Sequence, residues 1–282
     1  MSVVIAGCGD LGTEIGLRLA GQGHEVLGLR RRAELLPPPL TGIAVDLSTE
    51  VPEVPELPGD VELLVVATAA DGRTPEAYRA AYVDGLRHLF DGLRAAGALP
   101  RRALLVSSTA VCGDADGGEV TEDTPPDPST PTARILLEAE ELFHEQFPHG
   151  TVLRLSGIYG PGRTRLIDKV RSGDGAAGAA WTNRIHRDDA AAAAVHLLTM
   201  DAQPLTLYLG TDDEPVPELE VLQVLAQELD VPRPEDVPEA DAPPRGSKRL
   251  SNARLRASGL RLRYPTYREG YRAVLAGEGV RH

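Results

Sequence analysis

Short apolar runs of strand length recur along the chain, and each is followed by a segment with helical spacing. Val3 to Ala6 is the first run; after a glycine turn, Leu11 to Gln22 places Leu11, Ile15, Leu17 and Leu19 on an inward face. Val26 to Leu29 is the second run, and Ile43-Ala44-Val45 is a short strand inside the Pro- and Glu-rich stretch from Arg30 to Asp60. Strand, long helix and strand return as Val61 to Ala67, Pro75 to Ala96 and Ala103 to Val106. An acidic, proline-rich loop, Gly113 to Pro131, leads to a periodic helix, Ala133 to Gln146, and to a sixth strand, Val152 to Leu155.

Unbroken apolar strands alternating with helices predict an α/β fold, a Rossmann doubly wound parallel sheet with helices on both faces. After Gly160 the pattern loosens. A Gly/Ala-rich loop (Gly173 to Ala180) precedes a helix expected to be capped by Asp188 or Asp189, a strand at Leu205 to Leu209 and a helix from Val216 to Leu229. The proline-rich stretch Val231 to Pro244 is expected to be an exposed loop. The expected organisation is a Rossmann domain over residues 1–160 and a smaller α/β lobe over 161–282, closely packed, with parts returning to the first core.

Composition narrows the function. A net charge of −13 and the absence of a basic cluster beyond Arg30-Arg31-Arg32 argue against a nucleic-acid partner. No apolar run approaches the roughly 18 residues of a membrane span, and no cleavable leader is recognisable, so a cytoplasmic protein is expected. Cys8 and Cys112 stand in no metal-ligand spacing, and no metal site is expected. The partner to look for is a small molecule.

Gly7-Cys8-Gly9-Asp10-Leu11-Gly12 is a GxGxxG between strand and helix, the context in which that pattern binds a dinucleotide. Gly7 makes the tight turn, Gly9 lets the backbone approach a pyrophosphate, and Gly12 lets the helix pack on the strand. The helix start, with Asp10 and Leu11, offers free N–H groups to the anion. The second strand ends in Arg30-Arg31-Arg32, where an NAD site carries a carboxylate for the ribose hydroxyls. A guanidinium fork suits the 2′-phosphate instead, so NADP(H) is the preferred cofactor and NAD(H) the alternative.

With these motifs the chain resembles the extended short-chain dehydrogenase/reductase superfamily, also called the NAD-dependent epimerase/dehydratase family. The matching pieces are Asp46-Leu47, Ala67-Thr68-Ala69, Ser107-Ser108-Thr109-Ala110-Val111-Cys112-Gly113, Leu137 to Glu140, and Arg154 with Gly157-Ile158-Tyr159-Gly160-Pro161-Gly162. Asn183-Arg184-Ile185-His186-Arg187-Asp188-Asp189 completes them. The resemblance implies that Asp46 and Leu47 border the adenine, that Ala67, Thr68 and Ala69 line the ribose side, and that Gly157 and Ile158 lie near the nicotinamide. Ser107 joins the cofactor set. Family members often pair through the helices that follow the fourth and fifth strands, so a homodimer through Pro75 to Ala96 and Ala133 to Gln146 is an expectation.

One departure changes the chemistry. Members that transfer hydride use a YxxxK pair, the lysine lowering the phenol's pKa. Here Thr132 stands at the tyrosine position and Leu136 at the lysine, and Cys112 replaces the tyrosine before Gly113. An aliphatic hydroxyl is too weak an acid for the role. The resemblance puts Ser108 at the substrate-polarising hydroxyl, with Thr109 as the neighbour that serves instead. His186 and Tyr159 are the substitute acid–base candidates, with Tyr82 as a further phenol. Arg163, Asn183 and Arg184 are candidates to contact a polar or anionic substrate, and Cys112 is a reactive thiol only if its pKa is lowered.

Two classes follow. The first is an enzyme that binds NAD(P)(H) and performs redox, epimerase- or dehydratase-like chemistry on a small molecule, including a non-redox lyase or cyclase on the same fold. The second is a non-catalytic NADP(H)-binding sensor, for which loss of the pair with retention of the phosphate cradle is expected.

Overall fold

The computed structural model describes residues 2–52, 61–173, 180–234 and 247–282. Residues 174–179 of the loop expected at Gly173 to Ala180 and most of the stretch Val231 to Pro244 lie outside the described residues.

Seven parallel strands form the central sheet: β1 (Ser2–Ala6), β2 (Glu25–Arg30), β3 (Thr41–Ala44), β4 (Val61–Val66), β5 (Arg102–Ser108), β6 (Thr151–Leu155) and β7 (Leu207–Gly210). Their spatial order is β7-β6-β5-β4-β1-β2-β3. The chain moves outward from β1 in one direction through β2 and β3, then crosses back to β4 and continues the other way. The order therefore reverses between β1 and β4, and in such sheets the crevice outside the carboxyl ends of those strands receives the ligand.

Alternation along the strands divides the core in two. Val3, Ile5, Leu63, Val65, Leu104 and Leu153 face α1 (Asp10–Gly21) and the helix Arg187–Thr199. Val4, Ala6, Leu64, Val66, Leu105 and Val152 face the helical stretch after β4 and the helix Pro131–Gln146. The first of these, α2, runs through Pro75–Tyr78, a π-helical segment Arg79–Asp84, and Gly85–Ala95. Pro131–Gln146 is α3, Arg165–Arg171 α4, Arg187–Thr199 α5, Glu218–Leu229 α6, Ala253–Ala257 α7 and Tyr267–Leu275 α8.

The strand expected in the smaller lobe belongs to the main sheet. Leu207–Gly210 pairs with Val152–Leu155 in parallel register, and α5 packs against α1. An apolar run looks the same whichever sheet accepts it, so residues 187–210 return to the first core although they follow the expected boundary. Arg102 locks this return: its guanidinium donates to the carbonyls of Leu198, Met200, Asp201 and Ala202 at 2.5–3.3 Å, satisfying the open C-terminus of α5. The second lobe gathers α4, α6 and α8 around Ile167, Val170, Leu222, Leu225, Tyr267 and Tyr271.

Candidate functional site

Gly7 adopts φ +82°, and a Cβ there would lie 2.5 Å from the Thr68 nitrogen, so the turn and its contact with the end of β4 both exclude a side chain. Gly12 is held as tightly by its surroundings: its Cβ would lie 2.6 Å from the Gly7 carbonyl oxygen. Gly9, by contrast, has nothing within 4 Å of a built Cβ. The backbone there faces open space, and no side chain caps the start of α1. First-turn N–H groups without intrahelical acceptors are thus presented to that space, as a pyrophosphate requires.

Beside the glycines opens a cavity of about 360 Å3, lined by Gly7, Gly9, Arg30, Arg31, Asp46, Leu47, Ala67, Thr68 and Ala69, all expected in the cofactor set. Arg32, Ser48 and Asp71 line it as well. Ala77, Ala80 and Ala81 of α2 form a further wall, and their small side chains leave the room. The Asp46 carboxylate accepts from the Ser48 amide (3.1 Å) and hydroxyl (2.6 Å), which closes the turn after β3. Arg31 is engaged by Asp71 in a bidentate pair at 2.5 and 2.7 Å. Asp71 had no local signal as a site residue; it reaches Arg31 from the loop after β4.

Other expected cofactor residues lie elsewhere. The Asp10 carboxylate turns into a buried network, accepting from Arg163 Nε at 3.0 Å and Arg187 Nη1 at 3.1 Å. Those two guanidinium groups offset its charge beside the helix start. Leu11 is packed in the core. Ser107 Oγ donates to Glu140 at 2.5 Å, and Glu140 is clasped by Arg154 at 2.7–3.2 Å, all three buried. Ser107 therefore points away from the cleft and serves the sheet-to-α3 packing. Gly157 is exposed and Ile158 half-buried on a short strand, Gly157–Tyr159, paired in parallel with Arg184–His186.

The catalytic candidates divide. Ser108 is half-buried at the carboxyl end of β5, and its Oγ accepts from the Ala110 amide at 3.2 Å, capping the turn Thr109–Cys112; Thr109 is buried in that turn. His186, expected as a substitute acid–base group, is 2% exposed; its Nδ1 accepts from the Asp188 amide at 3.1 Å and so caps α5. The caps expected there are occupied otherwise, Asp188 by Arg187 and Asp189 by the amides of Arg263 and Tyr264. Burial drives the His186 pKa down to about 4. Tyr159 stacks on Tyr271 at 4.4 Å and meets His186 edge-on, and burial pushes its phenol far above its ordinary range. Neither lines the 360 Å3 cavity.

Tyr82 packs on Tyr78, with its phenol within hydrogen-bonding reach of the Ala70 backbone, and burial raises its pKa. Burial likewise raises the Cys112 thiol, the opposite of activation. Asn183 and Arg184 hold the second lobe together, the former through the backbone of residues 248 and 250, the latter through Thr182 and the Tyr267 ring. Arg163 keeps a third of its side chain exposed while bound to Asp10. A second cavity, about 430 Å3, lies among Glu119, Trp181, Asp212, Asp213, Arg249 and Asn252, residues of which the sequence pattern carries no sign.

The model of the NAD dependent epimerase/dehydratase family matches residues 3–209, nearly the whole sheet and the glycine turn. The chain belongs to this family. Among curated relatives, it is 32% identical over 271 residues to the 3-diazoavenalumate denitrifying reductase of a Streptomyces species, covering 86% of each chain. Protein YeeZ of Escherichia coli K12 is 32% identical over 206 residues, 70% of this chain and 72% of that one. A Methylobacillus flagellatus structure assigned to the NAD-dependent epimerases/dehydratases superposes with TM-score 0.80 at 38% identity, covering 98% of both chains. The UDP-glucuronic acid 4-epimerase of Bacillus cereus, solved with NAD, shares the fold at TM-score 0.80 and 16% identity over 96% of both chains.

Within this epimerase/dehydratase fold, Thr132 sits in the first turn of α3, its hydroxyl 3.2 Å from that of the capping Thr130. Leu136 is buried in an apolar cluster with Val111, Cys112, Val120, Leu209 and Leu250. The surroundings of Leu136 on this helix are therefore hydrocarbon.

Proposed function

We propose that this chain is an NADP(H)-dependent reductase of a small electron-poor molecule, working without a phenolic acid. The observation that carries the cofactor choice is the placement of Arg30, Arg31 and Arg32 on the wall of the cavity beside the glycine turn. Three guanidinium groups favour a 2′-phosphate over a free ribose hydroxyl. Asp46 on the same wall is committed to Ser48. When bound, the cofactor supplies hydride. The chain's own part is to hold its phosphates on the first turn of α1, to seat the adenosine between Arg30 and Leu47, and to present Ser108 to the substrate.

Reduction fits a site with Thr132 and Leu136 in place of the pair when the acceptor needs no proton from the protein. The reductase relative is denitrifying by name; a carbon that accepts hydride as a neutral group leaves with its bonding pair has that property. Calorimetric titration with NADPH, NADP+, NADH and NAD+ tests the proposal. Arg30→Ala plus Arg31→Ala is expected to weaken NADP(H) by about 1.5–3 kcal/mol more than NAD(H), as for lost charge-assisted bonds to the 2′-phosphate. If no dinucleotide binds, the proposal fails; if NADPH binds but no electron-poor acceptor oxidises it, a cofactor sensor takes its place.

A further inference from the structure

Lysine occurs twice in the chain, at 169 and 248, among 29 lysines and arginines. Lys169 is paired with Glu218 at 3.2 Å. Lys248 is half-buried, yet no carboxylate of the described residues stands within ion-pairing distance of its amine. Instead Nζ donates to the carbonyl of Gly113. That glycine follows Cys112 on the turn that leaves β5, with φ +68° and the Asp127 carbonyl 2.4 Å from a built Cβ, so its carbonyl direction is fixed. Cys112 in turn packs in the cluster with Leu136. An ammonium thus reaches, from the far end of the sequence, the neighbourhood in which α3 offers leucine.

The backbone around Lys248 is held with a rigour that a solvated lysine does not need. Ser247 bonds Asp114, Ala115, Gly117 and Trp181 at 2.8–3.2 Å. The Lys248 carbonyl accepts from Asn183 at 2.9 Å, and Arg249–Leu250 pairs in parallel with Glu119–Val120. The same segment then lines the 430 Å3 cavity through Arg249, Leu250, Ser251 and Asn252. Of the three ammonium N–H bonds, the Gly113 carbonyl takes one. A cation drawn partly out of water gains from an oxygen that bears charge.

We propose that Lys248 is the cation of the active site, and that it binds an oxygen of the substrate that carries or develops negative charge. The inference rests on the reductase reading above for the identity of the site. It assigns the substrate to molecules with a carboxylate or an equivalent oxyanion.

Amine labelling of the full-length protein with trinitrobenzenesulfonate, followed by peptide mass mapping, tests it, because Lys248 and Lys169 are the two side-chain amines. In the cofactor-free protein Lys248 is expected to react faster than Lys169, and benzoate, but not benzyl alcohol, to slow it saturably. Reaction no faster than that of Lys169, or indifference to benzoate, overturns the inference. Calorimetry with NADP+ on the same sample separates the two proposals. If NADP+ binds, protection of Lys248 by benzoate should persist at saturating NADP+, and its loss there overturns the assignment to the active site. If NADP+ does not bind, the cofactor reading falls and the benzoate comparison still decides for Lys248. Lys248→Gln confirms the labelled peptide; should that variant fail to fold, the wild-type comparison stands alone.

Discussion

Arg31 and Asp71, both on the wall of the 360 Å3 cavity beside the glycine turn, are joined by two short hydrogen bonds that tie the end of β2 to the loop after β4. Both side chains are more than half exposed. On the NADP(H) reading proposed above, a 2′-phosphate would bind the guanidinium fork that this pair engages, and the carboxylate would compete with it.

Asp71→Asn is therefore expected to tighten NADP(H), and not NAD(H). Exposed pairs of this kind contribute little, so the gain is about two- to fivefold in Kd. Calorimetry on the variant checks it, and weaker NADP(H) binding would mean that Asp71 orients Arg31 instead of competing for it.

The glycine turn was legible in the sequence because each glycine answers a local need: Gly7 a left-handed turn, Gly12 a backbone contact, Gly9 open space. The arginines at the end of β2 were legible for the same reason, being one strand away. What escaped is set by distant contacts. Leu207–Gly210 joins β6 instead of a second sheet, and no local pattern distinguishes the two. Asp188 and Asp189 are the usual capping residues, but Arg187 and the amides of Arg263 and Tyr264 claim their carboxylates, leaving the cap to His186. The approach of Lys248 to Gly113 spans 135 residues.

The two glycines that frame the turn separate stability from binding. Gly7→Ala forces a Cβ onto the Thr68 backbone and a positive φ, so both thermal stability and cofactor binding should fall. Gly9→Ala meets nothing in the free protein and its φ is −81°, so unfolding free energy should stay within about 0.5 kcal/mol of wild type. Dinucleotide affinity should nonetheless drop, because the methyl occupies the pyrophosphate's approach. Thermal melts with and without NADPH distinguish the two variants.

Glu140 and Arg154 are each 5% exposed, and Ser107 donates to Glu140. Removing one partner strands a buried charge, so Glu140→Ala is expected to cost about 3–5 kcal/mol in urea denaturation. Replacing both, as Glu140→Leu with Arg154→Met, should cost far less than the sum. A double-mutant cycle measures the difference, and additive losses would show that the pair is uncoupled.

Asp212 and His186 give stability two opposed pH dependences. Burial raises the Asp212 carboxyl to about 8, so between its unfolded value near 3.8 and pH 8 the folded state holds the extra proton, and stability falls as pH rises through that window. Burial lowers His186 to about 4, so between 4 and 6.5 the unfolded state holds the extra proton and stability rises with pH. From these two groups, stability is nearly level from about pH 4 to 6.5, where the slopes offset. From 6.5 to 8 it declines by roughly 1 kcal/mol per pH unit, since one proton is worth about 1.4 kcal/mol per unit. Asp212→Asn removes one slope. The decline above pH 6.5 should vanish, and below it the His186 slope should emerge as a loss of stability on acidification. Urea midpoints at half-unit pH steps test both halves; an unchanged decline above 6.5 would place its origin in another group.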